Sequence, residues 1–277
     1  MTMLHKQSSM FAGAITPMGF VDYFSNIMPL ENAQRRYFIK GSSGAGKSTF
    51  IKEIAQLVEE AGHEVTRFYC SNDASSLDGM ACPVLGLGII DATRPHMCDP
   101  EMPGAVDEII DFGAFLDREK LLPYKAELLT LLNMKKTYTE QAFSHMARVE
   151  IRGGVKKIPG IPSYFLSAVT PDGYVSFADG YFTGCQMHTT GWEALLERGA
   201  RAINFCSPFA PEQLDYLYFP DQGIAFELGG EIPPVREVVQ AMYNARQWHM
   251  KLEEIYGRAM DFDKLQPLGE RIIKEIL

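Results

Sequence analysis

Gly41-Ser42-Ser43-Gly44-Ala45-Gly46-Lys47-Ser48-Thr49 fits the pattern G-x-x-x-x-G-K-[ST] at every fixed position. The preceding RRYFIK reads as a short strand. The following residues, 49–60 (TFIKEIAQLVEE), read as an amphipathic helix. A glycine-rich loop between strand and helix is the context in which this pattern cradles phosphate. Gly41, Gly44 and Gly46 leave no Cβ in the way of converging backbone N–H groups, and the helix N-terminus adds unpaired donors and a positive dipole end. On this reading Gly41 through Thr49 line the nucleotide phosphates, Lys47 reaches the β- and γ-phosphates, and the Ser48 hydroxyl takes one Mg²⁺ position.

The rest of the chain is ordinary for a globular protein. Of its 277 residues, 46% are hydrophobic and 22% charged. The net charge of -9 argues against nucleic acid or an anionic membrane as the main partner. The opening MTMLHKQSSM lacks the apolar core of a leader and the longest apolar runs are short, so a cytoplasmic protein is expected. Cys70, Cys82, Cys98, Cys185 and Cys206 contain no C-x-x-C and are expected as free thiols. Histidines such as His96 and His188 show no paired metal-ligand spacing.

Past the helix, residues 64–70 (EVTRFYC) read as a second strand, 71–79 as a polar loop, and 84–90 (VLGLGII) as a third strand ending at Asp91. Apolar strands separated by connections imply an α/β protein with a parallel, three-layer αβα sheet of the P-loop NTPase kind. Ligands gather at the carboxyl ends of such strands, which makes Asp91 the candidate Mg²⁺ carboxylate. Its neighbour is Ala92, where many hydrolytic P-loop enzymes carry a glutamate that polarises water. Asp73 and Asp78 are candidates to orient a water or accept a hydroxyl proton, although turns also favour Asp. Arg94 is a candidate to neutralise a transferring phosphoryl group and His96 to sense the nucleotide state. Residues 10–27 contain a predicted helix at 19–27 and act either as packing or as a flap beside the nucleotide. A short helix is predicted at 105–112 and a long one across 116–147, the latter a brace between lobes or a lid.

Residues 150–162, rich in Gly, Pro and Lys, mark a boundary between domains 1–150, with a helical insertion at about 100–149, and 151–277. Residues 165–177 (FLSAVTPDGYVSF) echo 11–23 (FAGAITPMGFVDY), sharing Ala, Thr-Pro, Gly and Val at the same spacing. Leu214-Asp215 and Pro220 stand 137 positions after Leu77-Asp78 and Pro83. The second half therefore reads as a smaller, degenerate repeat of the first. Between Phe182 and Leu195 the sequence is TGCQMHTTGWEA, in which the P-loop pattern of glycines, Lys and Ser is gone, and Leu228 falls at the place of Asp91, so it is not expected to bind Mg-nucleotide. Helices predicted at 234–257 and 265–277 read as core.

These segments resemble a bacterial family of P-loop ATPase-like proteins built from two homologous lobes. The resemblance is carried by residues 11–24, the loop from Gly41 to Thr49, Cys70-Ser71-Asn72-Asp73, Ser76-Leu77-Asp78-Gly79, Asp91-Ala92-Thr93-Arg94-Pro95-His96, Pro103-Gly104-Ala105-Val106 and the second-half echo. It implies binding and hydrolysis of a nucleoside triphosphate with Mg²⁺. Members often keep a P-loop in both lobes, and this chain departs by losing the second. Three functions follow: an ATPase coupled to lobe movement or a protein partner, a kinase acting on a small-molecule acceptor, and a nucleotide sensor without turnover. No N-K-x-D segment appears, so ATP is the default nucleotide.

Overall fold

The computed structural model describes residues 8–95, 97–151, 153–165, 167–176 and 185–277. His96 and the part of the repeat at 177–184 lie outside them. The strands are β1 (Ser8–Phe11), β2 (Gly13–Thr16), β3 (Gly19–Asp22), β4 (Arg35–Lys40), β5 (Thr66–Cys70), β6 (Asp73–Cys82), β7 (Leu87–Asp91), β8 (Asp107–Asp111), β9 (Val155–Lys156), β10 (Ser163–Phe165), β11 (Ser167–Thr170), β12 (Gly173–Ser176), β13 (Gln186–His188), β14 (Ile203–Cys206), β15 (Gln213–Phe219) and β16 (Ile224–Glu227). The helices are α1 (Lys47–Glu60), α2 (Arg118–Leu121), α3 (Lys125–Met146), α4 (Trp192–Glu197), α5 (Arg236–Ala259) and α6 (Leu265–Ile276).

The protein is α/β, built on one twelve-stranded sheet of order β13-β16-β15-β14-β10-β1-β5-β6-β7-β4-β8, with β9 beside β15. The sheet is mixed, which corrects the expected parallel one. Only Ser71 and Asn72 separate β5 from β6, and a parallel return needs a crossover of about a dozen residues, so β6 runs antiparallel to β5. The stretch read as a polar loop is thus the first part of a ten-residue strand. A turn through Pro83–Leu85, closed by Gly86 at φ +59°, sends β7 back antiparallel to β6. β7, β4 and β8 run parallel to one another.

Two further expectations change. Residues 107–111 form β8 rather than a helix, because the Ile109-Ile110 pair finds β4 as a partner. Residues 19–22 pair with β2 as a hairpin and only Phe24–Asn26 is helical, as one 3-10 turn.

One face of the first half-sheet packs on α1 and α6, with Tyr37, Ile39, Ile51, Ile54, Ile89 and Ile272 in a common core. The other face is covered not by α-helix but by the turns after β3, where Phe24, Ile27 and Met28 meet Phe38, Phe68 and Ile90. The expected third helical layer is therefore absent from that core among the described residues.

The two halves share an order and a set of strand directions. β1-β5-β6-β7-β4 and β10-β14-β15-β16-β13 have the same sequence of parallel and antiparallel pairs. Each half also carries a hairpin, β2–β3 or β11–β12, closed alike. Thr16 Oγ1 donates to Gly19 O at 2.7 Å, and Thr170 Oγ1 to Gly173 O at 3.0 Å. The halves meet where β1 and β10 pair antiparallel through Phe11 and Phe165.

A buried ion pair ties β4 to the start of β8. Arg36 Nε donates to Asp107 Oδ1 at 2.7 Å and Nη2 to Oδ2 at 2.9 Å, while the backbone N–H groups of Glu101 and Met102 also donate to Oδ2. Burial pushes the Asp107 carboxyl up, but the guanidinium and these amides outweigh it and hold it below its ordinary value. Its stabilisation is therefore present above about pH 4 and is lost as the pH falls further. Asp107→Ala leaves Arg36 buried with only the exposed Glu101 as a counter-charge, and is expected to cost about 3 kcal/mol in urea unfolding at pH 7. The gap from wild type should narrow as the pH drops below about 4.

Candidate functional site

At the carboxyl end of β4 the chain turns through Gly41 and enters α1 at Lys47. Gly44 and Gly46 sit at φ +71° and +81°, left-handed conformations that residues with a Cβ rarely adopt. No side chain caps α1, so its first N–H groups are left to other partners. Lys47 folds back over the loop, its Nζ donating to Ser42 O at 2.9 Å and Gly41 O at 3.4 Å. The Ser42 hydroxyl oxygen is buried and has no hydrogen-bond partner.

Strand order brings carboxylates to the same end. Asp91 closes β7, which lies directly beside β4, and its Oδ2 is 3.6 Å from Lys47 Nζ. Its Oδ1 accepts from Thr93 N at 2.9 Å, and Thr93 Oγ1 accepts from Gly41 N at 3.2 Å, so strand end and loop are laced together. β6 runs the other way, which puts its early residues beside the end of β7, with Gly79 opposite Ile90. Leu77 N donates to Ser48 Oγ at 2.8 Å, and Asp78 follows, buried. Burial, then the nearby Asp91 charge, raise the Asp78 carboxyl well above its ordinary value, against opposing effects of Cys70 and Lys47. Asp215 occupies the matching place on β15 and burial pushes it up to about 6. A buried carboxyl thus belongs to both halves, although only one has the glycine loop.

The remaining sequence candidates are more dispersed. Asp73 accepts from Ser75 N, Ser75 Oγ and Ser76 Oγ, and forms an ion pair with Arg246 Nη2 at 2.9 Å. Those bonds fit a turn-closing role as well as a chemical one. Arg94 and Thr49 are exposed. Ser43 and Ala45 complete the loop, Ala45 being buried.

The loop's outer wall comes from the far end of the chain, which the sequence reading assigned to core. A Cβ on Gly44 would lie 2.3 Å from Glu253 O of α5, and one on Gly46 would lie 3.0 Å from the Phe262 ring. Ser43 Oγ is 3.3 Å from His249 Nδ1, which also receives Lys135 Nζ of α3 at 2.9 Å. Arg246 reaches both Asp73 and, at 3.1 Å, Asp172 of the second hairpin. Arg246, His249 and Glu253 recur at i, i+3 and i+7, a polar stripe that marks one helix face. That spacing was the available signal, but a solvated face looks the same.

No group of three or more His, Cys, Asp or Glu among the described residues forms a metal cluster, and no described helix is long and apolar enough to cross a membrane. None of the five cysteines forms a disulfide among the described residues.

A carboxyl whose folded value is raised contributes stability that is present at low pH and lost as the pH rises through that value. Asp78→Asn mimics the protonated form. Relative to wild type, it should therefore gain stability as the pH is raised from 4 to 8 in a series of denaturant melts. A constant difference across that range would show that Asp78 is not so perturbed.

Searches for a matching family model, a curated protein and a solved structure found none.

Proposed function

We propose that the chain binds a Mg²⁺-nucleoside triphosphate, ATP by default, at the loop from Gly41 to Thr49, and hydrolyses it. The observation that carries this is the meeting of Lys47 with Asp91 beneath a glycine loop that opens directly into α1. A lysine, a strand-end carboxylate and a helix N-terminus in that relation suit a polyphosphate and its metal. Mg²⁺ keeps most of its water and needs few protein oxygens, so Ser48 Oγ and Asp91 suffice without a carboxylate cluster. Both fit: Asp91 Oδ1 is taken by an amide but Oδ2 faces the site, and Ser48 Oγ accepts one bond and retains a lone pair. Bound Mg²⁺ would neutralise charge developing on the phosphates.

A cavity of about 540 Å³, lined by Phe115, Asp117, Lys120, Met260 and Phe262 among others, lies on the Phe262 side of the loop. Phe262 is half exposed and also borders Gly46, so this is where we place the base and sugar. The second half, with the same strand order but no glycine loop, is read as a degenerate copy that supports the first through β10 and Asp172. Because α5 rests on Gly44, binding would be felt by the helices that bridge the halves.

Phosphoryl transfer to an acceptor is the second reading. It is favoured by Ala92 after Asp91 and by the buried Asp78 beside it, a carboxyl able to handle an acceptor proton.

Phosphate release with Mg-ATP alone decides between them. Hydrolysis predicts steady release that falls about a hundredfold or more in Lys47→Ala and in Asp91→Ala. Transfer predicts little release until an acceptor is added. Undiminished Mg-dependent turnover in Asp91→Ala would remove Asp91 from the site.

A further inference from the structure

α3 and α5 pack antiparallel. Leu128 and Leu131 meet Leu252 at one end of the pair, and Ala142 and Met146 meet Val238, Ala241 and Met242 at the other. Between these two apolar contacts, on the side facing the glycine loop, stand Lys135 and His249. An ammonium placed between packed helices is costly unless a carboxylate answers it. The hydrogen-bond partner of Lys135 is instead the imidazole Nδ1 of His249. For Nδ1 to accept from lysine, the ring proton must be on Nε2, which lies 3.4 Å from Glu253 Oε1. His249 thereby aims the lysine and is itself anchored at the helix turn that touches Gly44.

Desolvation lowers the Lys135 pKa, with Cys70 and Glu253 acting to raise it and Lys47 to lower it further. Lys135 meets the loop through His249, whose Nδ1 also lies 3.3 Å from Ser43 Oγ, and the hydroxyl of the adjacent Ser42 is buried and unpartnered. Two neighbouring ammonium groups and an orphaned hydroxyl form an arrangement that an anion would relieve.

We propose that Lys135 is a second phosphate-binding cation of this site, reaching from α3 to the terminal phosphate of a bound nucleoside triphosphate and held on target by His249. The proposal rests on the nucleotide reading above and deepens it. The α3–α5 pair then reports whether the third phosphate is present, since a diphosphate leaves Lys135 without its counter-charge.

The test is calorimetry on the full chain with Mg²⁺ and, separately, a non-hydrolysable ATP analogue and ADP. Lys135→Met keeps the length of the side chain and removes its charge, while Lys135→Arg keeps the charge. Lys135→Met should weaken the triphosphate about tenfold or more and the diphosphate by less than about twofold, with Lys135→Arg recovering part of the loss. Thermal unfolding of the free protein supplies the second readout. A lysine serving only as a brace predicts a lower melting temperature in Lys135→Met, whereas one kept for a ligand predicts an equal or higher one. Equal weakening of both nucleotides, no weakening, or a lowered melting temperature with unchanged nucleotide preference overturns the proposal. If the wild type binds neither nucleotide, the nucleotide reading itself fails and this proposal with it. If the wild type binds both and Lys47→Ala abolishes binding while Lys135→Met matches wild type, only the role of Lys135 falls.

Discussion

The pairing of β1 with β10 turns two half-sheets into one. Phe11 and Phe165 face each other across it, with Ala14, Ala168 and Cys206 packed around them. Side contacts reinforce the seam: Asn26 Nδ2 donates to Ser163 O at 2.8 Å, Tyr164 OH donates to Asn26 O, and the Tyr23 and Phe165 rings lie 5.1 Å apart. With the halves so joined, a single long helix can touch both, and Arg246 of α5 does so through Asp73 and Asp172. The wall over the glycine loop depends on that span.

Charges at the carboxyl end of the sheet are arranged in opposition. Asp91 answers Lys47 and Arg246 answers Asp73, while burial and the nearby Asp91 charge both work against ionisation of Asp78. Lys135 and Glu253 enter the same neighbourhood from α3 and α5. A ligand bearing several negative charges and a divalent cation would alter each of these balances at once, through groups separated by much of the sequence.

The loop, its strand and its helix were legible because the pattern is local: glycines, lysine and hydroxyl within nine residues, flanked by unambiguous periodicity. The place of Asp91 was legible from an apolar run and its end, and the Thr-Pro-x-Gly echo pointed to a repeat, although the hairpin it closes in the first half was read as the start of a helix at 19–27. Strand direction was not. Ser71–Asn72 looks like part of a loop, and only the short distance between Cys70 and Asp73 makes it a reversal that lays β6 antiparallel along β5. The 107–111 strand was hidden because its acidic ends resemble helix-start residues, whereas its pairing and the Arg36–Asp107 contact are long-range. Lys135 and His249 were illegible for the same reason, since each is an ordinary polar residue of its own helix until the other helix is beside it.

Gly44 presses its bare Cα against the Glu253 backbone, and Ile272 of α6 fills the core beneath α1. As the chain emerges from a ribosome, the strand, loop and helix of the first half are therefore exposed long before the residues that close over them. The glycine loop acquires its outer wall only once α5 and the residues after it have been made. Throughout that interval the first half must keep its uncovered α1 face from meeting another chain.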